Sequence, residues 1–187
     1  MTSVVIETER LTLRVPVPED ADAAAELLGD PEVMRFLGGH VVPRENVPAV
    51  IEKWLGRWTA NRMGPFMLER RADGRFVGRC GILVWDTREW RISTLAEAGE
   101  FAQPEIGWAL VRAHWGQGYA TEAARAVATW VRAERAAGKL VSVIAPANTA
   151  SRRVAERLGA RPGATITLAD AGEALVWQYP AVLRAGR

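Results

Sequence analysis

The 187-residue chain is short of several residue types, and each shortage excludes a class of site. Cys80 is its one cysteine, so neither an internal disulfide nor a cysteine-rich metal centre is expected. The two histidines, His40 and His114, are too few for a histidine zinc site, and we predict no metal. Lysine is limited to Lys53 and Lys139, and the formal net charge is +2 without a block of like charges. This balance predicts no nucleic-acid partner.

Long apolar runs are also missing, and the first ten residues have no basic start followed by an apolar segment. We therefore predict a cytoplasmic protein without a membrane segment. Apolar residues make up 49% of the chain and charged residues 25%, which is typical of a globular protein. Because we find no linker, repeat or low-complexity segment, we predict a single domain over residues 1–187.

The spacing of apolar residues predicts a mixed α/β fold. Strands are predicted at 10–15, on either side of the Asp73-Gly74 turn within 65–85, and at 104–111, 139–145, 164–169 and 174–180. Helices are predicted at 18–30, 30–39, 47–58 and 148–159. A further helix, with an apolar stripe that begins at Ala120, is predicted to follow the glycines at 116 and 118 and to run to about Ala137, with Gly138 as the end signal. Residues 86–102 are predicted to be mostly loop. The order lacks the βαβαβ alternation of a doubly wound nucleotide fold, so much of the sheet should be antiparallel.

The stretch HWGQGYATEAARA, residues 114–126, places Gly116 and Gly118 directly before a strong helix-forming run. A helix N-terminus has unpaired N–H groups and about half a positive charge, so it attracts anions. Glycines in front of it let a phosphate approach the backbone without a Lys or Arg side chain. A plain strand-to-helix turn explains the same residues, and on this stretch alone both interpretations stay open.

Two other phosphate-binding loops are excluded by the spacing. A P-loop requires Gly-Lys followed by Ser or Thr, and this tripeptide does not occur in the chain. The dinucleotide fingerprint requires a third glycine at the position of Thr121, and the predicted strand order around the loop is wrong for it.

Three stretches, in the expected order, resemble the GNAT N-acetyltransferases. PEIGWALVRAHWGQGYATEA, residues 104–123, is similar to the family's acyl-coenzyme A loop, with Trp115 in place of the usual Gln or Arg. ETERLTLR at 7–14 and NTASRRVAERLGA at 148–160 resemble the RimJ/RimL-like subgroup. The resemblance implies an α+β fold whose largely antiparallel sheet has six to seven strands. It also implies four to five flanking helices and a splay between the family's fourth and fifth strands.

The resemblance implies where the co-substrate acetyl-coenzyme A binds. Its diphosphate is held by backbone N–H groups of the loop: Gly116, Gln117, Gly118, Tyr119, Ala120 and Thr121. The pantetheine arm pairs with the strand at Trp108, Ala109 and Leu110, and Gly107 gives that strand the freedom to bend. Asn148 binds the same arm. A backbone N–H that polarises the thioester carbonyl in the transition state contributes roughly 2.7–4 kcal/mol.

Glu105 and Ser151 are the candidate catalytic residues. Glu105 resembles the family's strand glutamate, which takes the proton of the amine through a water; an arginine ion pair is the structural alternative, and Glu100 is a second candidate. Many members have a tyrosine acid seven residues after the asparagine, but Ala155 stands there. The subgroup resemblance therefore makes Ser151 the candidate residue that contacts coenzyme A and donates a hydrogen bond to the departing sulfur. A first-turn position beside an Asn148 cap explains this serine equally well.

The expected acceptor is an amine, and the subgroup resemblance favours the N-terminal amine of a protein. A small amine, such as an antibiotic, polyamine or amino-acid derivative, is the alternative. A protein that senses acyl-coenzyme A without catalysis is an alternative to the enzymatic function. An α-amine has a pKa of about 7.7–8.0 against about 10.4 for lysine, so it needs less help from a base. Trp85, Trp90 and His40 are candidate acceptor-binding residues, with packing as the alternative for the tryptophans. The resemblance is compatible with a homodimer.

Overall fold

The computed structural model describes residues 4–135, 139–181 and 183 of the chain. The strands of this part are β1 Val5–Glu7, β2 Leu11–Arg14, β3 Pro65–Arg70, β4 Phe76–Asp86, β5 Arg91–Ile92, β6 Ala102–Leu110, β7 Val141–Ile144, β8 Arg161–Leu168 and β9 Gly172–Gln178. The α-helices are α1 Ala21–Leu28, α2 Pro31–Met34, α3 Val47–Asn61, α4 Leu95–Ala98, α5 Tyr119–Arg135 and α6 Thr149–Arg157. The sheet order is β1-β2-β3-β4-β6-β7-β9-β8, with β5 paired to β4.

The predicted mixed α/β class and the largely antiparallel sheet are confirmed. Among the described residues the pair β6–β7 is parallel and the other strand pairs are antiparallel. The element counts were underestimated, since this part of the chain holds nine strands and six α-helices. The additional elements are short: β1 and β5 have three and two residues, and α4 has four. Segments of this length contain too few residues to show a period.

Helix boundaries follow the end signals of the sequence more closely at the start than at the end. Asp30 caps α2 by accepting the Glu32 N–H at 2.9 Å, as predicted, but α2 ends at Met34, well before residue 39. The segment predicted as helix 18–30 opens with a 3₁₀ turn and becomes α-helical at α1. The predicted end of α5 at Ala137 and Gly138 lies outside the described residues.

The central strands bury both faces of the sheet. On one face Cys80, Ile82 and Ile106 pack against α5 and α6, in the largest apolar cluster of the described residues. Side chains alternate between faces along a strand, so the odd-numbered residues of β6, and those of β4 from Arg79 onward, face the other side. There α1, α2 and α3 pack, with Trp54 and Met67 in their apolar cluster. No helix in the part of the chain that the structure describes is long and apolar enough to cross a membrane.

Candidate active site

The strands β6 and β7 form a fork in the middle of the sheet. They share one ladder pair, Glu105 with Val141, and the described residues form no further pair between them. At the closed end of the fork, the Ser142 hydroxyl donates to the Ile106 carbonyl at 2.5 Å, and the Tyr179 hydroxyl lies 2.9 Å from Ser142 Oγ. The predicted splay is therefore present, and it opens beyond residue 106.

Beyond Glu105, the edge of β6 that faces the fork has no ladder partner among the described residues. Backbone N–H and C=O groups alternate between the two edges of a strand, and the Ile106 carbonyl points toward β7. Trp108 and Leu110 therefore direct their backbone groups into the fork, while those of Ala109 point toward β4. The Trp115 indole N–H donates to the Leu110 carbonyl at 2.7 Å. This bond gives the tryptophan at the usual Gln or Arg position a structural role at the mouth of the fork.

The bend expected at Gly107 does not interrupt the pairing of β6 with β4. Strand β6 pairs with β4 in unbroken register from Ala102 to Leu110, and the φ of Gly107 is not in the left-handed region. A methyl group added to Gly107 would have no atom within 4 Å. The glycine therefore leaves open space over β6, on the same face as Glu105 two residues earlier.

The glycine-rich turn presents the N-terminus of the 17-residue helix α5 to its surroundings. Gly116 and Gly118 have φ angles of +75° and +83°, a conformation that favours glycine. The first helical bond runs from the Glu122 N–H to the Gly118 carbonyl at 3.1 Å, so the N–H groups of residues 119–121 have no acceptor within the helix. The six predicted loop residues thus lie around one helix N-terminus that fits a diphosphate.

Arg10 fastens this turn to the start of the sheet. Its Nη1 donates to the Gln117 carbonyl at 2.9 Å and its Nε to Glu122 Oε2 at 2.7 Å, while its guanidinium lies 4.7 Å from the centre of the Tyr119 ring. Thr8 Oγ1 adds a bond of 2.6 Å to Glu122 Oε1. In the sequence, the ETERLTLR stretch is marked only by its resemblance to the RimJ/RimL-like subgroup. The structure shows that its Thr and Arg hold the loop in place.

Glu105 is a buried carboxyl, 6% exposed, at the closed end of the fork. Its Oε2 accepts the Trp85 indole N–H, and its Oε1 accepts the Val143 N–H at 3.0 Å. Burial raises the pKa of Glu105 to about 7, against the opposing effect of these bonds and of Arg79 and Arg57. Among the described residues no cation lies within ion-pair distance of Glu105. The alternative interpretation, a structural ion pair between Glu105 and an arginine, is therefore not observed. A carboxyl of this pKa can exchange a proton at neutral pH.

Comparison of the sequence with known protein families identifies the family of this chain. The family model described as Acetyltransferase (GNAT) domain matches residues 10–161. The chain belongs to the GNAT acetyltransferases. It is 34% identical over 166 residues to the uncharacterized protein YkkB of Bacillus subtilis (strain 168), with 85% of this chain and 86% of YkkB covered.

Solved structures share the GNAT fold over nearly the whole chain. The acetyltransferase from Agrobacterium tumefaciens str. C58 has a TM-score of 0.77 at 27% identity, with 96% of both chains covered. RimL, a ribosomal-protein α-N-acetyltransferase solved in complex with coenzyme A, has a TM-score of 0.71 at 15% identity, with 94% of this chain and 97% of RimL covered. At 15% identity, the similarity to RimL shows a shared fold and nothing more.

GNAT acetyltransferases use acetyl-coenzyme A, and the α5 N-terminus and the fork provide donors suited to its diphosphate and amide groups. In the part of the chain that the structure describes, no three His, Cys, Asp or Glu side chains are grouped to hold a metal ion.

Asn148 and Ser151 form the start of α6. Asn148 Oδ1 accepts the Ser151 N–H at 3.1 Å, which is the predicted helix cap. Both side chains are half-buried, and this bond leaves the Asn148 amide NH₂ and the Ser151 hydroxyl free of the cap. Ala155, at the position of the usual tyrosine, is fully buried in the core, so its side chain takes no part in the site.

The three predicted acceptor residues occupy different positions. Trp85 donates to Glu105, and its ring centre lies 6.3 Å from that of Trp90. A cleft of about 250 Å³ is lined by Gly38 and Gly39 and by Val143, the residue whose N–H contacts Glu105. His40 directly follows the two glycines and is exposed. Trp85 thus belongs to the surroundings of the carboxyl, and His40 follows the segment that lines the cleft.

Trp85→Phe is expected to move the acid limb of the pH–rate profile upward. The indole N–H stabilises the charged form of Glu105, and its loss raises the pKa of that carboxyl further above its ordinary value. The midpoint should rise by up to about one pH unit. Trp90→Phe is the matched control, because Trp90 is a neighbouring indole outside this hydrogen bond. Equal profiles for the two variants would contradict the expectation.

Proposed function

We propose that the chain transfers an acetyl group from acetyl-coenzyme A to a primary amine by direct attack in a ternary complex. Acetyl-coenzyme A supplies the activated acetyl group. The observation that carries the proposal is Glu105, a buried carboxyl with a pKa of about 7 at the closed end of a fork between strands. In this role Glu105 accepts the proton of the amine, directly or through a water, so that the neutral amine can attack.

The loop and the fork are the proposed binding site for the co-substrate. The backbone N–H groups of residues 116–121 bind the diphosphate, and the open edge of β6 at Trp108, Ala109 and Leu110 receives the pantetheine arm. Support comes from the first-turn N–H groups of α5, which have no acceptor within the helix, and from the edge of β6 beyond Glu105, which pairs with no strand in the described part of the chain. We assign the Asn148 amide to the same arm and the Ser151 hydroxyl to a hydrogen bond with the departing sulfur.

A protein N-terminal α-amine is the proposed acceptor, with a small amine as the alternative. The pKa of Glu105, about 7, differs from that of an α-amine, about 7.7–8.0, by roughly one pH unit or less, but from that of a lysine amine by more than three. Proton transfer between matched groups is the more efficient. The RimJ/RimL-like stretches of the sequence favour the same acceptor class. Trp85, Trp90 and His40 are proposed to border the acceptor, and a homodimer stays a prediction.

Release of free coenzyme A thiol, measured with a panel of N-terminal peptides and small amines, tests the function. We expect release that depends on the amine, with an acetylated peptide identified by mass spectrometry. Release with small amines alone would shift the acceptor to the alternative class. Binding of acetyl-coenzyme A without release on any amine would contradict the enzymatic proposal and favour a sensor.

A further inference from the structure

Two arginines on the side of the sheet that packs against α3, Arg57 and Arg79, have no ion-pair partner among the described residues. The Arg79 Nε is buried and lacks a hydrogen-bond acceptor, and its guanidinium lies 5.6 Å from the centre of the Trp54 ring. Burial lowers the pKa of Arg79 to about 10 and also lowers that of Arg57. A buried guanidinium without an ion-pair partner destabilises the folded protein unless a negatively charged group compensates its charge.

Both arginines lie on the side of the sheet that holds the open space over Gly107. Arg79 on β4 is the ladder partner of Ala109, and Gly107 is the next residue of β6 on that face. Arg57 follows Trp54 by three residues on α3, so the two side chains share one side of that helix. The Trp54 ring under Arg79 therefore places α3 against the same region.

The charges of this region do not balance. Ionised Glu105 provides one negative charge, and it interacts electrostatically with both Arg57 and Arg79. The three groups together carry one positive charge in excess. A planar guanidinium is suited to bind a carboxylate through two parallel hydrogen bonds. One further carboxylate would neutralise the region and satisfy the free Arg79 donor.

We propose that the acceptor amine carries a carboxylate close to the nitrogen that is acetylated, and that Arg79 and Arg57 bind this carboxylate. The inference rests on the proposed acetyl transfer and specifies its acceptor class. Gly107 leaves room for the acceptor between the carboxyl of Glu105 and the two guanidinium groups. An arginine pair that served only to keep Glu105 ionised would act equally on every acceptor, and this difference makes the proposal testable.

The first experiment compares matched acceptors with the unaltered protein. One arm uses C-terminally amidated peptides that begin with Glu or with Gln. The other uses free amino acids against their amides, with rates expressed per neutral amine. We expect kcat/KM to be at least about tenfold higher for the carboxylate-bearing member. The arm that shows the preference identifies a peptide side chain or a small amino acid as its source. Equal rates within both pairs would overturn the inference.

The second experiment uses Arg79→Gln and Arg57→Gln, with Lys53→Gln as the control. Lys53 is an exposed cation one turn before Arg57 on the same helix, so the control removes the same charge. We expect either arginine variant to lower kcat/KM for the carboxylate-bearing acceptor by about thirtyfold or more beyond the loss for its neutral partner, because any change in the pKa of Glu105 acts on both acceptors alike. Unchanged affinity for acetyl-coenzyme A checks the fold of each variant.

An equal loss for both acceptors in the arginine variants would overturn the inference, because the arginines would then act on Glu105 or on the fold. If Arg79→Gln fails to fold, the inference is tested by Arg57→Gln and by the preference of the unaltered protein for carboxylate-bearing acceptors. If acetyl transfer occurs without a preference for carboxylates, this inference alone fails. If no amine releases coenzyme A thiol, the proposed function fails with it.

Discussion

Glu105→Gln is expected to lower kcat/KM at pH 7 by about a hundredfold or more, which is the usual contribution of a positioned base. The amide cannot take a proton from the amine. It also has one acceptor oxygen, whereas Glu105 accepts from two donors, the Trp85 indole and the Val143 N–H. The measurement is the initial rate of thiol release with a peptide α-amine as acceptor.

The pH dependence distinguishes a lost base from a general loss of activity. Because the pKa of Glu105 is about 7, the fraction of unaltered protein with an ionised base rises from pH 6 to pH 8, and kcat/KM should rise with it. The variant should lack this rise. Its deficit should shrink at pH values above the pKa of the amine itself, where the amine is neutral without help. An unchanged profile in the variant would remove Glu105 from the mechanism.

Stability provides the control for the same variant. The pKa of Glu105 is raised from 4.5 to about 7 by folding, so the folded protein keeps a proton that the unfolded chain releases between these values. The free energy of unfolding should therefore fall by about 3 kcal/mol as the pH rises through this window. Glu105→Gln has no such group. It should lose less stability than the unaltered protein between pH 4.5 and pH 8, as measured by thermal unfolding.

Gly116→Val is expected to raise the KM for acetyl-coenzyme A by about fivefold to a hundredfold. Gly116 has a φ of +75°, and a β-branched residue there stores about 1–3 kcal/mol of strain. The loop relieves this strain by moving its N–H groups away from the α5 N-terminus, and each 1.4 kcal/mol of lost binding is about tenfold. A Cβ atom added at Gly116 has no neighbour within 4 Å, so the substitution starts from open space and not from the core. Kinetics at varied acetyl-coenzyme A concentration measure the effect.

Gly99→Val is the matched control for the loop variant. Gly99 also has a positive φ, +56°, with no atom within 4 Å of an added methyl group, and it precedes β6 at the end away from the loop. Its substitution should cost comparable stability while the KM for acetyl-coenzyme A stays unchanged. A similar KM in all three proteins would show that the diphosphate does not bind at residues 116–121.

Local sequence patterns predicted the parts of the site that are built from consecutive residues. The glycines before α5, the Asn148 cap of α6 and the hairpin at Asp73-Gly74 depend on backbone conformation within a few residues. They were recognisable for that reason. The position of Glu105 on a strand was likewise predicted. Its chemical state was not, because no spacing in the sequence indicates how deeply a strand residue is buried.

Tertiary structure alone decided what surrounds the carboxyl and the loop. Trp85 is 20 residues from Glu105, and Val143 is 38. Arg10 reaches Gln117 across 107 residues. Arg57 and Arg79 join Glu105 from a helix and a neighbouring strand. Such neighbours depend on strand register and helix packing, which are set by the burial of the whole core. The sequence by itself determined the family, the glycine-rich turn before α5 and the strand position of Glu105, whereas folding determined the pKa of Glu105 and the charge around it.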